Sequence, residues 1–206
     1  MKTIYFVRHG QTEGNANGMY QHWGLPLSEL GREQAQAVAQ RFDSIEIDTI
    51  LVSDMERAIE TAKTIAERIQ KTVQIDPLFR EIARPVVIRG RSKTDPDVVE
   101  IIEFTNKYWN DPSVKHSDEE NFPELKARAL RAVERLETMP EDSILVVTHG
   151  FFLHMVVAVM QYGHALTPEA FDRTDSFLHM SNTGITVCKF DGRWRMWTWN
   201  DDIHIQ

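Results

Sequence analysis

The chain has 206 residues, of which 42% are hydrophobic and 26% charged. That is enough for one domain with a substantial core, and the composition excludes disordered and fibrous classes. The formal net charge of -8, from 23 basic and 31 acidic residues, weighs against a general nucleic-acid binder, whose surface is usually basic.

Ile4-Tyr5-Phe6-Val7 is a short apolar run rich in β-formers and predicts a buried strand. Residues 10–27 hold Gly10, Gly14, Gly18, Gly24 and Pro26 and read as a long loop. A helix follows from about Ser28, with Leu30, Ala35, Val38 and Phe42 roughly on one face. Thr49–Val52 is a second buried strand. Ser53 followed by Glu56 has the capping-box spacing, which predicts Ser53 as N-cap of a helix running to about Ile69. Val73–Ile75 is a short strand candidate. Asp95-Pro96 predicts a helix start, with Val98, Ile101, Ile102, Thr105, Tyr108 and Trp109 at helical spacing. Another helix begins near Pro123, carries Leu125, Ala129, Val133 and Leu136 on one face, and ends near Pro140. Ile144–Val147 is a third buried strand, and a very apolar helix over Phe151–Met160 follows it. Ile185–Phe190 and Trp194–Trp199, joined through Asp191-Gly192, read as a hairpin whose tryptophans belong to the core.

Strands that are continuous apolar runs, alternating with helices, indicate a mostly parallel sheet covered on both faces. The expected fold is therefore a three-layer α/β/α domain spanning residues 1–206, with an added C-terminal hairpin. Residues 80–122 are the expected lid or insertion over the site. Arg80, Arg84, Arg89, Arg91 and Lys93 against Glu81 give +4 over residues 80–93, a stretch that either faces an anionic ligand or is a solvated surface. Residues 94–124 carry a net charge of -7. The single cysteine, Cys188, excludes an intrachain disulfide. The N-terminal apolar run is too short for a signal-peptide core, and Phe151–Met160 is well under the ~20 residues that cross a bilayer. A cytoplasmic location with no membrane or nucleic-acid partner is the expectation; oligomeric state is not legible.

Three polar groups fall at the carboxyl ends of the three strongest strands: Arg8-His9-Gly10, Ser53 to Arg57, and Thr148-His149-Gly150. That edge of an open α/β sheet is where ligands bind. Guanidiniums grip phosphate in pairs and stay charged, and a helix N-terminus adds backbone N–H donors. Gly150, opening its helix, would let a phosphate approach the backbone. An imidazole among such groups can attack phosphorus and form a phosphohistidine.

Arg8-His9-Gly10-Gln11-Thr12 with Asn15 resembles the signature of the histidine phosphatase superfamily, in its phosphoglycerate mutase-like branch. Ser53-Asp54-Met55-Glu56-Arg57-Ala58 with Thr61-Ala62 is similar to the family's second-arginine segment, and Thr148-His149-Gly150 to its second-histidine segment. Pro26-Leu27-Ser28, Gly31 and Asn182-Thr183-Gly184 also look similar, so the resemblance spans nearly the whole chain. It implies His9 as nucleophile, with Arg8, Arg57 and His149 completing a phosphate pocket that Asn15 also touches. Glu81 sits where the family places its proton donor; its other reading is a salt bridge to Arg80 or Arg84. Asn15 also reads as a turn residue. Gln21, Gly150 and Arg84 complete the expected substrate-binding set. His154, on the apolar helix, reads as buried and hydrogen-bonded.

Other phosphatase chemistries fail on spacing. Cys188 and Arg193 are five apart where a thiol phosphatase loop needs six, and His149 and His154 miss the i, i+4 spacing of a helical zinc pair. No metal and no ATP are expected. A phosphatase acting on a small phosphorylated metabolite is favoured over a mutase, because the Trp- and Pro-rich insertion of the family's mutases is absent and Gly24 replaces an acid two before Pro26. 2,3-Bisphosphoglycerate would serve only as a mutase primer. A phosphoprotein phosphatase or a phospho-ligand binding module is the remaining class. With His9 neutral and Glu81 protonated, the expected pH optimum is mildly acidic.

Overall fold

The computed structural model describes residues 1–205. Its strands are β1 (Lys2–Arg8), β2 (Thr49–Val52), β3 (Val73–Ile75), β4 (Ser143–Thr148), β5 (Ile185–Phe190) and β6 (Trp194–Asp201). They form one six-stranded sheet in the order β3-β2-β4-β1-β5-β6. The first four are mutually parallel, whereas β5 runs antiparallel to both β1 and β6. The helices are α1 (Glu13–Ala16), α2 (Glu29–Gln40), α3 (Glu56–Ile69), α4 (Pro96–Lys107), α5 (Phe122–Thr138), α6 (Gly150–Tyr162) and α7 (Pro168–Phe177). None is long and apolar enough to cross a membrane.

The continuous apolar strands are explained by helices on both sheet faces. Side chains alternate across a strand, so Ile4, Phe6, Ile144 and Val146 join one core with α5, α6 and α7. Val7, Leu145, Val147, Ile50 and Val52 join a second core with α2 and α3. Register then sets the site. Arg8 pairs with Thr148, and Val52 and Val7 both pair with Val147. The next residues, His9, Ser53 and His149, therefore emerge side by side, with His9 N–H donating to Thr148 O at 3.0 Å and Ser53 N–H to Val147 O at 3.1 Å.

Close backbone contact places the loop after β1 against α2. A Cβ on Gly31 would lie 2.0 Å from Gln11 O, and one on Gly10 would lie 2.4 Å from Gly31 O. Neither position has room for any side chain, which accounts for glycine at both.

Several local expectations are corrected. Ser53 is not an N-cap: α3 starts at Glu56, Met55 precedes it, and the Ser53 hydroxyl turns to other partners. The 10–27 loop contains α1, capped reciprocally by Thr12 and Asn15. α7, absent from the sequence reading, begins at a Thr167 cap followed by Pro168. α4 buries only Val98, so its apolar spacing marks a surface helix. Trp194 and Trp199 pack against the core, but Trp197 is 62% exposed beneath the Lys189 ammonium.

Arg80, Glu81, Ala83, Arg89, Asp118 and Glu120 form one wall of a cleft that Trp23 and Met55 also line. The Arg128 guanidinium binds both oxygens of Glu120 and the carbonyls of Leu78 and Arg80. Gly90 N–H donates to Tyr20 O at 2.6 Å and Tyr20 N–H to Arg91 O at 2.9 Å, tying this wall to the glycine-rich loop.

Candidate active site

Each strand end delivers its side chain for a local reason. β1 ends at Arg8, leaving His9 at the sheet edge, 2% exposed. α3 presents Arg57 and Thr61 one turn apart, on one face. The Thr61 hydroxyl donates to Arg57 O at 2.8 Å and accepts Gly10 N–H at 3.1 Å, fixing the His9 loop onto α3. Behind His9, Asn182 Nδ2 donates to His9 O at 2.9 Å, and Thr183 N–H to Arg8 O at 3.0 Å. Thr183 has φ +58°, a left-handed conformation rare for a β-branched residue, and is braced by His204 Nε2 at 3.0 Å from its hydroxyl. Sequence similarity pointed to Asn182-Thr183-Gly184; only the fold shows it supporting the Arg8-His9 backbone.

The His9 tautomer is fixed. Nδ1 lies 2.7 Å from Gly10 O, and a carbonyl can only accept, so Nδ1 carries the proton and Nε2 the lone pair. Arg57 Nε donates to that lone pair at 3.2 Å, and the His149 ring lies 5.1 Å away between centroids. Arg57 is otherwise held by His22 O and Met55 Sδ. Burial lowers the Arg57 guanidinium to about 10, so it stays charged at neutral pH. The Arg8 guanidinium donates to Met180 O, and its Nε is buried with no acceptor among the described residues. His149 donates or accepts at Ser53 Oγ, 2.8 Å from its Nε2, while its Nδ1 is likewise buried without a partner among the described residues. Buried polar groups left unpaired cost about 1–3 kcal/mol each. An anion beside Arg8 Nε would supply the acceptor that this donor lacks.

Glu81 pairs with neither Arg80 nor Arg84. Its Oε1 accepts from Phe152 N–H at 2.9 Å and Ile82 N–H at 3.0 Å, and its Oε2 from Phe151 N–H at 3.3 Å. The carboxylate thus sits on the N-terminus of α6, the same helix that follows His149. Arg80 instead binds Asp54 in a bidentate pair.

Asn15 is part of the α1 capping box, its Oδ1 accepting Thr12 N–H at 3.2 Å; its Nδ2 has no hydrogen-bond partner among the described residues. Gln21 Oε1 lies 3.1 Å from the Thr12 hydroxyl, and Gln21 lines a cleft of about 240 Å³ with Trp23, Arg57, Glu81, Arg84 and Lys93. A Cβ on Gly150 would sit 3.5 Å from Arg8 Nε, an ordinary contact, which places Gly150 beside that guanidinium at the start of α6. His154 is buried as expected, its Nδ1 2.7 Å from Asp175. Burial pushes the Cys188 thiol up to about 12, which removes it as a nucleophile.

The basic run over residues 80–93 does not act as one surface. Arg91 binds Asp95 and Asp97, and Arg89 binds Asp118, so both are turned to carboxylates. Arg84 lies over the Phe151 ring and Lys93 over Tyr20; neither has a carboxylate partner among the described residues.

Burial, then Arg57, then Arg8 hold His9 well below the ordinary histidine range; burial and the Arg57 guanidinium do the same for His149. Both stay neutral in the folded protein where the unfolded chain binds protons. Their stabilising contribution is full above the unfolded value near 6.5 and falls as pH drops below it, with a slope approaching about 2.7 kcal/mol per pH unit for two histidines. Half-buried His204, also lowered by burial, adds in the same direction. Urea unfolding at pH 7.5 and 5.5 checks this; equal stability at the two would contradict neutral, buried imidazoles.

The family model of the histidine phosphatase superfamily (branch 1) matches residues 4–202. Phosphoglycerate mutase-like protein 4 of Arabidopsis thaliana is 30% identical over 213 residues, covering 98% of this chain and 86% of that one. Among solved structures, YhfR of Bacillus stearothermophilus superposes with a TM-score of 0.84 at 28% identity, covering 100% of both chains. A mycobacterial glucosyl-3-phosphoglycerate phosphatase in complex with VO3 superposes with a TM-score of 0.79 at 25% identity, covering 97% of this chain and 99% of that one. With the Arg-His-Gly turn, the second arginine and the second histidine meeting at one sheet edge inside a match that spans nearly the whole sequence, the chain belongs to the histidine phosphatase superfamily, branch 1, and is an enzyme.

Proposed function

We propose that the protein hydrolyses phosphomonoesters of small metabolites through a phosphohistidine at His9. The observation that carries this reading is the His9 Nε2 lone pair, held by the Nδ1–H to Gly10 bond and flanked by Arg57, Arg8 and His149. In the first step Nε2 attacks phosphorus, the P–O ester bond breaks, and the leaving oxygen takes the proton of Glu81 in its acid form. Arg8, Arg57 and His149 hold the equatorial oxygens, where charge gathers, with Asn15 Nδ2 as a further donor. In the second step the Glu81 carboxylate takes a proton from water, the water oxygen bonds to phosphorus, and the P–N bond breaks to restore His9. Residues 80–122 cover the departing group. The phosphatase named among the structural relatives supports hydrolysis; the mutase-like plant relative keeps transfer back to a substrate hydroxyl as the second reading.

Mass spectrometry of enzyme quenched in base during turnover tests the proposal. A base-stable, acid-labile +80 Da adduct on the His9 peptide is expected, roughly the mass of one phosphoryl group. Free phosphate as product identifies a phosphatase; 2-phosphoglycerate formed from 3-phosphoglycerate primed with 2,3-bisphosphoglycerate identifies a mutase. No adduct and no product across a panel of phosphomonoesters would leave a phospho-ligand binding module.

The cleft mouth suits a substrate carrying a second anionic group, because Arg84 and Lys93 line it without carboxylate partners. Arg84→Ala or Lys93→Ala should raise KM about 5- to 50-fold for a phosphomonoester with a carboxylate, through loss of one charge-assisted contact, and leave KM nearly unchanged for an uncharged alkyl phosphate. Arg91→Ala, on the exposed Asp95–Asp97 pair, should change neither.

A further inference from the structure

We propose that Ser53 is a positioning residue that fixes His149 as an Nδ1–H donor toward the phosphoryl group. The inference rests on the reading of His149 as a phosphate contact and adds the reason it can be one.

Ser53 is fully buried at the end of β2, beside Thr148. Its Oγ accepts Met55 N–H at 3.2 Å and lies 2.8 Å from His149 Nε2. A hydroxyl has one proton to give, and His149 Nε2 is the only acceptor bonded to it among the described residues. If His149 carried its proton on Nε2, that N–H would donate to Oγ and the buried Ser53 hydroxyl would have no acceptor. With Ser53 donating to the Nε2 lone pair, every group of this pair is matched except His149 Nδ1–H.

Nδ1 is buried without a partner among the described residues, as is Arg8 Nε. The two unpaired donors belong to groups that flank His9. The pair of histidines thus carries the proton on the same atom for opposite uses. Gly10 O takes the Nδ1–H of His9 and frees Nε2 as a lone pair; Ser53 occupies Nε2 of His149 and frees Nδ1–H as a donor. A neutral imidazole in the other tautomer would turn a lone pair toward the phosphate oxygens and repel them. The selection does not need a charged histidine, which matters where burial and two guanidiniums oppose protonation.

The sequence alone reads Ser53 as a helix cap, a role the backbone geometry at Met55 rules out. The functional signal is positional: a hydroxyl at the first residue beyond a strand that is in register with the one delivering His149.

Two-dimensional 1H–15N spectra of the imidazoles, read with titration of inorganic vanadate, test the proposal. In the wild-type protein His149 should show the Nδ1–H tautomer. In Ser53→Ala, the nearby guanidiniums favour a lone pair at the unpartnered nitrogen, and the His149 signature should move to Nε2–H while that of His9 stays unchanged. Vanadate affinity should fall about 10- to 100-fold, the scale of losing one hydrogen bond to a charged group. An Nε2–H tautomer in the wild type, or a folded Ser53→Ala protein that keeps both the Nδ1–H signature and wild-type vanadate affinity, overturns it. If Ser53→Ala does not fold, the wild-type tautomer decides. Failure of the phosphoryl-transfer reading is separable, since it would appear as a wild-type protein that forms no phosphoenzyme while the tautomer is read without turnover.

Discussion

His9→Ala should lower kcat/KM by about 10⁴-fold or more, leaving a protein that still binds its substrate. The size follows from what remains. Arg8, Arg57 and His149 can still hold a phosphate, but the second imidazole at the strand edge, His149, has its Nε2 taken by Ser53. Cys188 is buried among the core residues and its thiol is held up to about 12. Reaction would then need direct attack by water on the ester, without the phosphohistidine step. KM should change less than about 10-fold, because the binding groups stay in place. Arg57 Nε loses its acceptor, so the variant should be destabilised by about 1–3 kcal/mol. Steady-state kinetics with thermal unfolding check both parts. A folded variant retaining a tenth of wild-type turnover would rule out His9 as the phosphoryl carrier.

The second large effect is expected at Glu81, and it should depend on the leaving group. Glu81→Gln removes the proton donor for the ester oxygen and the base for water, while an amide oxygen at the Oε1 position can still accept the Phe152 and Ile82 N–H groups. For an alkyl phosphate, kcat should fall about 10²- to 10⁴-fold, the usual range for loss of a general acid. A nitrophenyl phosphate has a leaving group that departs without a proton, so its first step should slow less than about 10-fold. Dephosphorylation still needs the base. Rapid-mixing experiments should therefore show a burst of nitrophenol equal to the enzyme, followed by slow turnover. Equal losses in burst rate for both substrates would remove Glu81 from proton transfer. His9, neutral well into acid pH because of burial and its arginines, keeps the nucleophile available across the range where Glu81 must be protonated.

The chemistry was largely legible in the sequence because it sits on short motifs bound to strong strand signals. Ile4–Val7, Ile50–Val52 and Ile144–Val147 are continuous apolar runs that do not alternate with polar residues, and so they announce a doubly covered sheet. Arg8-His9 and Thr148-His149 stand at their ends and Arg57 in the first turn of the helix after the second, so placing the strands places the groups. Elements with weaker local signals were misread. α7 has a modest apolar face whose only fully buried residue is Phe171. Trp197 looks like core by type, yet edge strand β6 leaves it to solvent.

What only the tertiary structure decided are matters of pairing, which depend on residues far apart in the chain. Capping spacing assigns Ser53 to α3; register between β2 and β4 assigns it to His149, 96 residues away. Charge content groups the cations of residues 80–93 together; carboxylates on α4 and its flanking segments pair with Arg89 and Arg91, whereas Arg84 and Lys93 line the cleft without such a pair among the described residues. Glu81 could be guessed as an acid from its place after Phe79-Arg80, but that it rests on the N-terminus of α6 follows from the packing of two distant segments. Local sequence determines what a residue can offer through its side chain and its backbone propensity. Which partner accepts the offer is set by long-range burial, because a buried donor or charge must be matched by whatever the fold brings beside it.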